Sequence, residues 1–358
     1  MKYGSLLTTL ALIFLAGCSH IGPKTVSRDR FDYNTAIADS WKEQTLLNIV
    51  KLRYADMPLF VEVASVVSGY TLESSVNLGG NVSSENAVQG DFLSLGTAGK
   101  YTDRPTITYA PITGEKFNRS FMTPIPPNLF LFLLESGWSA EMVFPIVVDA
   151  INGLRSLRAA GRQARMGDPG YYRTISLLQQ LQDSGHMSMR VIKDRDAKET
   201  AVLFLYRQNL PPDIIEALKE FEELLGLRPE SNDLKVRYGS IPETDQELAL
   251  QTRSMLQIMI ALATQIDVPS GHVDGGLTVP SLIAPDSEEA KMRQLIKVHT
   301  TPDKPEKSFV SVTYRDNWFW IDDGDFYSKR VFTFLMILFS LTESGGKEGL
   351  PLITIPAG

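Results

Sequence analysis

Residues 70–101 constrain the fold more tightly than any other part of the chain. From Tyr70 to Val82 the residue types alternate, with Tyr70, Leu72, Val76, Leu78 and Val82 in one set and Thr71, Glu73, Ser75, Asn77 and Asn81 in the other. Successive side chains of a strand point to opposite faces, so this pattern predicts a strand with one apolar face. A polar stretch, Ser83 to Asp91, separates it from a returning arm, Phe92 to Tyr101, where Leu93, Leu95 and Tyr101 keep even spacing. Glycines at 69, 79, 80, 90, 96 and 99 make 68–104 a Gly/Ser-rich hairpin unlike the rest of the sequence. A two-stranded ribbon with no helix attached cannot bury its apolar face alone. Three covers are open: the protein's own body, neighbouring copies that join a shared sheet or barrel, or none, the segment being a loop with chance alternation. Each arm is long enough to cross a membrane as a β-strand, which takes roughly 9–11 residues. Lys100 and the weaker alternation of the second arm count against that version. Tyr70, Leu72, Val76 and Leu78 are the candidate interface residues.

Around the hairpin the chain reads as α+β, in three blocks of tandem αββαβ-like modules. The first, 31–153, opens with a helix near Asn34 to Arg53. It continues with strands at Leu59 to Val67 and Pro105 to Tyr109, a short helix from Thr113, and a helix from Asn128 to Ser136 started by Pro126-Pro127. Val143 to Ile151, with two adjacent valines, is expected to be a buried strand. Residues 154–170 read as a basic linker. The second module, 171–266, has Ile175, Leu178 and Leu181 at helical spacing, strands at Met187 to Ile192 and Ala201 to Tyr206, a helix from Pro212 closed by Gly226, and a strand from Leu234 to Tyr238. Thr244 and Glu247 form a capping-box pattern ahead of an apolar run, Leu248 to Ala263, read as a helix. The third, 287–358, has a helix at Ser287 to Leu295 and strands at Ile296 to His299, Phe309 to Tyr314 and Trp318 to Ile321. A helix capped by Asp325 and a last strand at Leu352 to Ile355 complete it.

A hydrophobic fraction of 43% with 22% charged residues is that of a globular chain. A net charge of −7 argues against broad nucleic-acid binding. Cys18 is the only cysteine, so no disulfide is available and stability must come from packed cores.

The N-terminus carries Lys2, an apolar run from Leu10 to Leu15, and then Leu15-Ala16-Gly17-Cys18. The run is too short to span a bilayer as a helix, which needs roughly 20 residues, and fits a cleaved leader, 1–17. The tetrapeptide resembles the lipobox of bacterial lipoproteins. That resemblance implies cleavage before Cys18, a lipid on its sulfur, and a membrane anchor followed by a tether, 18–30. Ser19 at the next position implies export to the outer membrane, facing the periplasm, in species that use that sorting rule. The αββαβ order resembles the ring-building modules of secretins and sporulation-channel proteins. A lipoprotein that lends a hairpin to a shared barrel resembles the curli secretion channel. Trp318-Phe319-Trp320-Ile321-Asp322-Asp323 through Ser328-Lys329-Arg330 resembles a stretch of uncharacterised bacterial lipoproteins, which implies no activity.

No motif names a reaction, and no catalytic residue, cofactor or metal is expected. Asp322, Asp323 and Asp325 stand close together with Lys329, but the spacing misses the calcium-loop pattern, and cap and turn roles account for two of them. His20, His186, His272 and His299 are scattered. Ser344 and Lys347 match Ser-x-x-Lys in letters only, at a helix end. Arg155, Arg158, Arg162, Arg165 and Arg173 form a basic stretch with no acid between Asp149 and Asp168. It reads as a solvated linker or as a contact for an acidic neighbouring subunit or lipid phosphates. The expected function is that of a lipid-anchored, oligomeric or complex-forming part of an envelope assembly. Its partners would be the membrane and either itself or other envelope proteins. A monomeric lipoprotein that binds a protein or envelope polymer is the alternative, and a periplasmic enzyme the third.

Overall fold

The computed structural model describes residues 21–67, 70–81, 92–157, 166–193, 199–280 and 294–342. They form an α+β fold in two compact units. Of the described residues, the first unit holds 21–40 and 61–111, and the second 41–60 and 112–342.

Helix α1, Ile21–Arg53, runs along the chain from the first unit into the second. Residues 21–30 are therefore helical, where Gly22 and Pro23 led us to expect a tether. Pro23 sits in the first turn, whose N–H groups have no partner within a helix, so proline costs little there. Cys18 lies outside the described residues. The remainder of the first unit is strands: β1 (Val61–Val67), β2 (Tyr70–Asn81), β3 (Phe92–Asp103) and β4 (Thr106–Pro111).

The second unit continues with α2 (Gly114–Phe117), a π-helical turn at Asn118–Met122, α3 (Pro127–Glu135), α4 (Ala140–Val147), β5 (Val148–Ile151) and β6 (Leu154–Arg155). Next come α5 (Pro169–Asp183), β7 (Met187–Lys193), β8 (Glu199–Leu205), α6 (Pro212–Leu225), β9 (Asp233–Tyr238) and β10 (Glu247–Thr252). Last are α7 (Met255–Ala263), α8 (Ser270–Asp274), β11 (His299–Thr301), β12 (Ser308–Tyr314), β13 (Asn317–Asp322) and α9 (Phe326–Thr342). Strands β5 to β10 make one sheet in the order β6-β5-β10-β9-β8-β7, and β11-β13-β12 make another. Most of the expected helix at 287–295 and the whole strand at 352–355 lie outside the described residues, and 294–295 are not helical.

Helix α6 illustrates how local chemistry sets an element. Pro212 opens it without losing a needed donor, and Ile214, Ala217, Leu218, Phe221 and Leu225 form its buried stripe. Gly226 ends it in the left-handed conformation at φ 61°. Burying Leu218 and Phe221 stabilises the fold by roughly 1.5–3 kcal/mol each. A separate aromatic cluster joins distant segments, with Phe60 and Phe121 ring centres 4.1 Å apart and Phe121 and Phe339 4.9 Å apart.

Three expectations are corrected. Val143 to Ile151 is not one strand: α4 ends at Val147, with Pro145 inside it, and only Val148–Ile151 is β5. Leu248 to Ala263 is not one helix. Glu247–Thr252 is β10, and the capping box lies one step later: Ser254 Oγ accepts from Gln257 N at 3.3 Å, and Ser254 N donates to Gln257 Oε1 at 2.9 Å. Most residues of both runs are buried, which blurs the periodicity that separates helix from strand. The module boundary at 153–154 falls between β5 and β6, neighbours in the same sheet as the second block's strands. Leu250 of β10 pairs with Ile151 of β5. The order α5-β7-β8-α6-β9 is as expected, but its sheet extends beyond 171–266.

Candidate functional site

The four strands of the first unit are two hairpin ladders in line. Strand β1 pairs antiparallel with β4, from Val61↔Pro111 to Val67↔Thr106, and β2 with β3, from Tyr70↔Asp103 to Asn81↔Phe92. Paired residue numbers total 173 at the rungs from Ser65↔Thr108 to Val67↔Thr106 and at those from Tyr70↔Asp103 to Asn81↔Phe92, so both ladders share one register. Between Val63 and Ser65 the register shifts, leaving Ala64 unpaired in a β-bulge. The bulge re-phases the strand. Val63 faces Tyr109 and Val66 faces Ile107, and Ile107 and Tyr109 share a face of β4. Ile107 and Tyr109 are 40% and 60% exposed.

The candidate interface residues fall at alternate rungs of this register: Tyr70↔Asp103, Leu72↔Tyr101, Val76↔Thr97 and Leu78↔Leu95. The intervening rungs carry small polar residues, Thr71↔Thr102, Glu73↔Lys100, Ser75↔Ala98, Asn77↔Gly96 and Gly79↔Ser94. Lys100 thus belongs to the polar set, its ammonium 3.8 Å from the Glu73 carboxylate, with both side chains about two-thirds exposed. Its presence does not interrupt the apolar positions. Ser94 Oγ donates to Gly79 O at 3.2 Å, and a Cβ on Gly79 would meet that hydroxyl at 2.8 Å, so a larger residue there would turn the serine away from this bond. Among the described residues no third strand pairs with either ladder.

The other sequence candidates are separate from the ribbon's ladder. Arg155 lies on β6, opposite Ala150. Its N–H donates to Asp168 Oδ2 at 2.7 Å, and Asp168 N donates to Arg155 O at 2.8 Å, so the two ends of the basic stretch are tied together. Arg158, Arg162 and Arg165 lie outside the described residues. Arg173 is engaged, its Nε donating to Glu220 Oε1 at 2.6 Å.

The three aspartates do separate local work. Asp322 Oδ1 accepts from Gly324 N at 2.7 Å, closing a turn. Asp325 caps α9, its Oδ1 accepting from Ser328 N at 3.0 Å and its Oδ2 from Ser328 Oγ at 2.7 Å. Asp323 receives the Lys329 ammonium at 2.7 Å. Among the described residues no three His, Cys, Asp or Glu side chains group as metal ligands, and no helix is long and apolar enough to cross a membrane. His299 stacks on Trp320 at 4.7 Å, and burial, with help from Lys297, lowers its pKa. His272 Nδ1 shares a 2.8 Å hydrogen bond with Tyr54. His20, Ser344 and Lys347 lie outside the described residues.

Sequence reasoning missed two buried arginines. Arg253 is 6% exposed and holds α4 to β6: its Nη1 donates to Ile146 O at 3.0 Å, and its Nη2 reaches Ser156 Oγ and, at 3.4 Å, Asp149. Arg53 is equally buried, with Nε and Nη2 unpartnered, and burial lowers its pKa. An arginine in a polar sequence context gives no signal of either fate. Compared with known proteins, the chain matches no family model, no curated protein and no solved structure.

Proposed function

We propose that the chain is a lipid-anchored component of an oligomeric envelope assembly, in which ribbons from neighbouring copies pair edge to edge in a shared sheet. The observation that supports this most is the ribbon itself: one register, alternating apolar and polar positions, and no third strand among the described residues. In a two-stranded antiparallel ladder each 12-residue strand turns about six residues' N–H and C=O groups away from its partner. Such edges are templates for another chain. Pairing head to tail around a closed ring uses both edges of every copy. A strand of 12 residues extends roughly 40 Å, enough to cross a hydrocarbon layer of about 30 Å. The lipobox at Leu15 to Cys18 supports anchoring, and Ser19 supports the periplasmic face of the outer membrane. The role is structural, with no reaction, cofactor or nucleic acid assigned.

The test is the light-scattering mass of the intact protein in detergent beside a variant with 70–101 replaced by a short Gly/Ser linker. The intact protein should run as a multimer and the variant as a monomer with an unchanged melting profile. Two monomers would overturn the proposal in favour of a monomeric binding lipoprotein.

A further inference from the structure

Within the second unit, a cavity of about 720 Å³ opens among α4, α5, α7 and the start of α9. That volume is typical of small-molecule sites, which run roughly 300–1,000 Å³. Its polar walls are already spent on the protein. The Tyr171 hydroxyl donates to Val148 O at 2.7 Å, and Arg253 is held as described. The Tyr172 hydroxyl accepts from Leu157 N at 3.2 Å, and Gln265 Oε1 accepts from Leu295 N at 2.6 Å. Ser139 donates to Gln179 at 2.7 Å and Thr264 to Ala261 O at 2.7 Å. Ser176, Gln294, Tyr327 and the charged Glu141 and Arg330 are the exceptions. A sugar or peptide entering here would lose its water and find few free neutral partners, which is costly. An apolar chain loses nothing of that kind, and Met142, Leu157, Ile175, Ala261 and Leu295 offer it apolar wall.

The cavity also carries one free charge of each sign. Glu141, in the first turn of α4, and Arg330, in α9, are both exposed, and neither has an ion-pair partner among the described residues. Both act electrostatically on Tyr327, which also lines the cavity and whose pKa is raised first by desolvation and then by Glu141, with Arg330 opposing. The Arg330 guanidinium rests 5.7 Å from the centre of the Trp138 ring, which braces it in place.

We propose that this cavity binds a single amphiphile with a zwitterionic phosphate head: its acyl chain enters the apolar interior, its phosphate meets Arg330 and its ammonium meets Glu141. Arginine suits the phosphate because its planar donors match two oxygens at once. The opposite charges of Glu141 and Arg330 in the lining select a phosphoethanolamine-type head over a purely anionic one, which Glu141 would repel. The site is independent of the ribbon and of whether copies assemble.

The test is native mass spectrometry of the full chain, released from detergent after incubation with each of three probes. These are myristoyl lysophosphatidylethanolamine, monomyristoylglycerol (the tail without the phosphate) and glycerophosphoethanolamine (the head without the tail). One molecule of the first should be retained per chain, and the other two should bind roughly tenfold more weakly or worse. Arg330→Gln and Glu141→Gln, both at exposed positions that leave folding intact, should each bring the first probe down to the level of monomyristoylglycerol. Ala261→Phe should block retention of both acylated probes. Head-only binding as tight as that of the whole lipid would overturn the chain's place in the cavity. So would retention unchanged by Ala261→Phe in a variant that melts normally. Equal retention of the two acylated probes, insensitive to Arg330→Gln, would overturn recognition of the head.

Discussion

Glu73 and Lys100 face each other across one rung of the ribbon, 3.8 Å apart, acid on one strand and base on the other. Each edge of the ribbon therefore carries one sign at the same level. A copy that added its β3 edge to a neighbour's β2 edge would bring a lysine to a glutamate again, whereas β2 on β2 would bring two acids together. Charge at this rung favours head-to-tail over face-to-face pairing.

Lys100→Glu is expected to weaken assembly while leaving the subunit folded. An exposed pair contributes about 0–1 kcal/mol to folding, but a like-charge rung recurs at every interface of a ring. The mass in detergent should fall for Lys100→Glu and recover in the double variant with Glu73→Lys. A subunit mass that never depended on either charge would remove this pair from the interface.

Cys18→Ser is expected to release the protein from membranes or to leave its leader uncut. Each buried methylene of an acyl chain contributes about 0.8 kcal/mol, and one chain holds only marginally, so stable anchoring depends on the full lipid. Fractionation and metabolic labelling with a palmitate analogue check this. Normal processing and retention of the serine variant, without label in the parent, would exclude the anchor.

Asp325→Asn is expected to be close to neutral and Asp325→Ala to cost roughly 0.5–2 kcal/mol in urea unfolding. Asparagine keeps the oxygen that accepts from Ser328 N, and its amide can turn to donate to the Ser328 hydroxyl, whereas alanine loses both contacts. Loss of function in Asp325→Asn at unchanged stability would instead mark a chemical role for the carboxylate.

Acidification is expected to destabilise the second unit through His299. Its folded pKa is lowered below the ordinary value of 6.5, chiefly by desolvation. The unfolded chain then binds the proton more readily, so the stabilising contribution is complete above pH 6.5 and is lost as pH falls through the depressed folded value. His299→Gln should flatten the fall of melting temperature below that pH. An unchanged slope in the variant would assign the acid sensitivity to other groups.

The arms of the hairpin were legible because one strand face differs from the other: Tyr70 to Val82 and Phe92 to Tyr101 became β2 and β3 almost residue for residue. Strands β1 and β4 were also read, but the register they share with the arms was not, because the unpaired Ala64 looks like any other strand residue in the sequence. Helix α6 was legible from a stripe with a proline at one end and a glycine at the other. Strand β10 and helix α7 were fused into one reading because apolar residues flank the polar Gln251 to Ser254 on both sides and two Thr/Ser-x-x-Glu/Gln patterns compete. The six-stranded sheet was hidden because β5 and β10 meet across about a hundred residues of chain, a separation that no local pattern encodes. The cavity, too, depends on hydrogen bonds such as Tyr171 to Val148, which exist only after helices from distant segments have packed.

The unpaired Ala64 acts as a slack residue in the ribbon. The partners on either side of it, Tyr109 and Thr108, are consecutive on β4, so a chain without Ala64 would join Val63 to Ser65 in a regular ladder and leave the side chains of β1 on their present faces. The harmful change is the opposite one: if Ala64 were drawn into the ladder, the residues that follow it in β1 would turn to the other face relative to Val61 and Val63. The strand can spare this residue but cannot pair it.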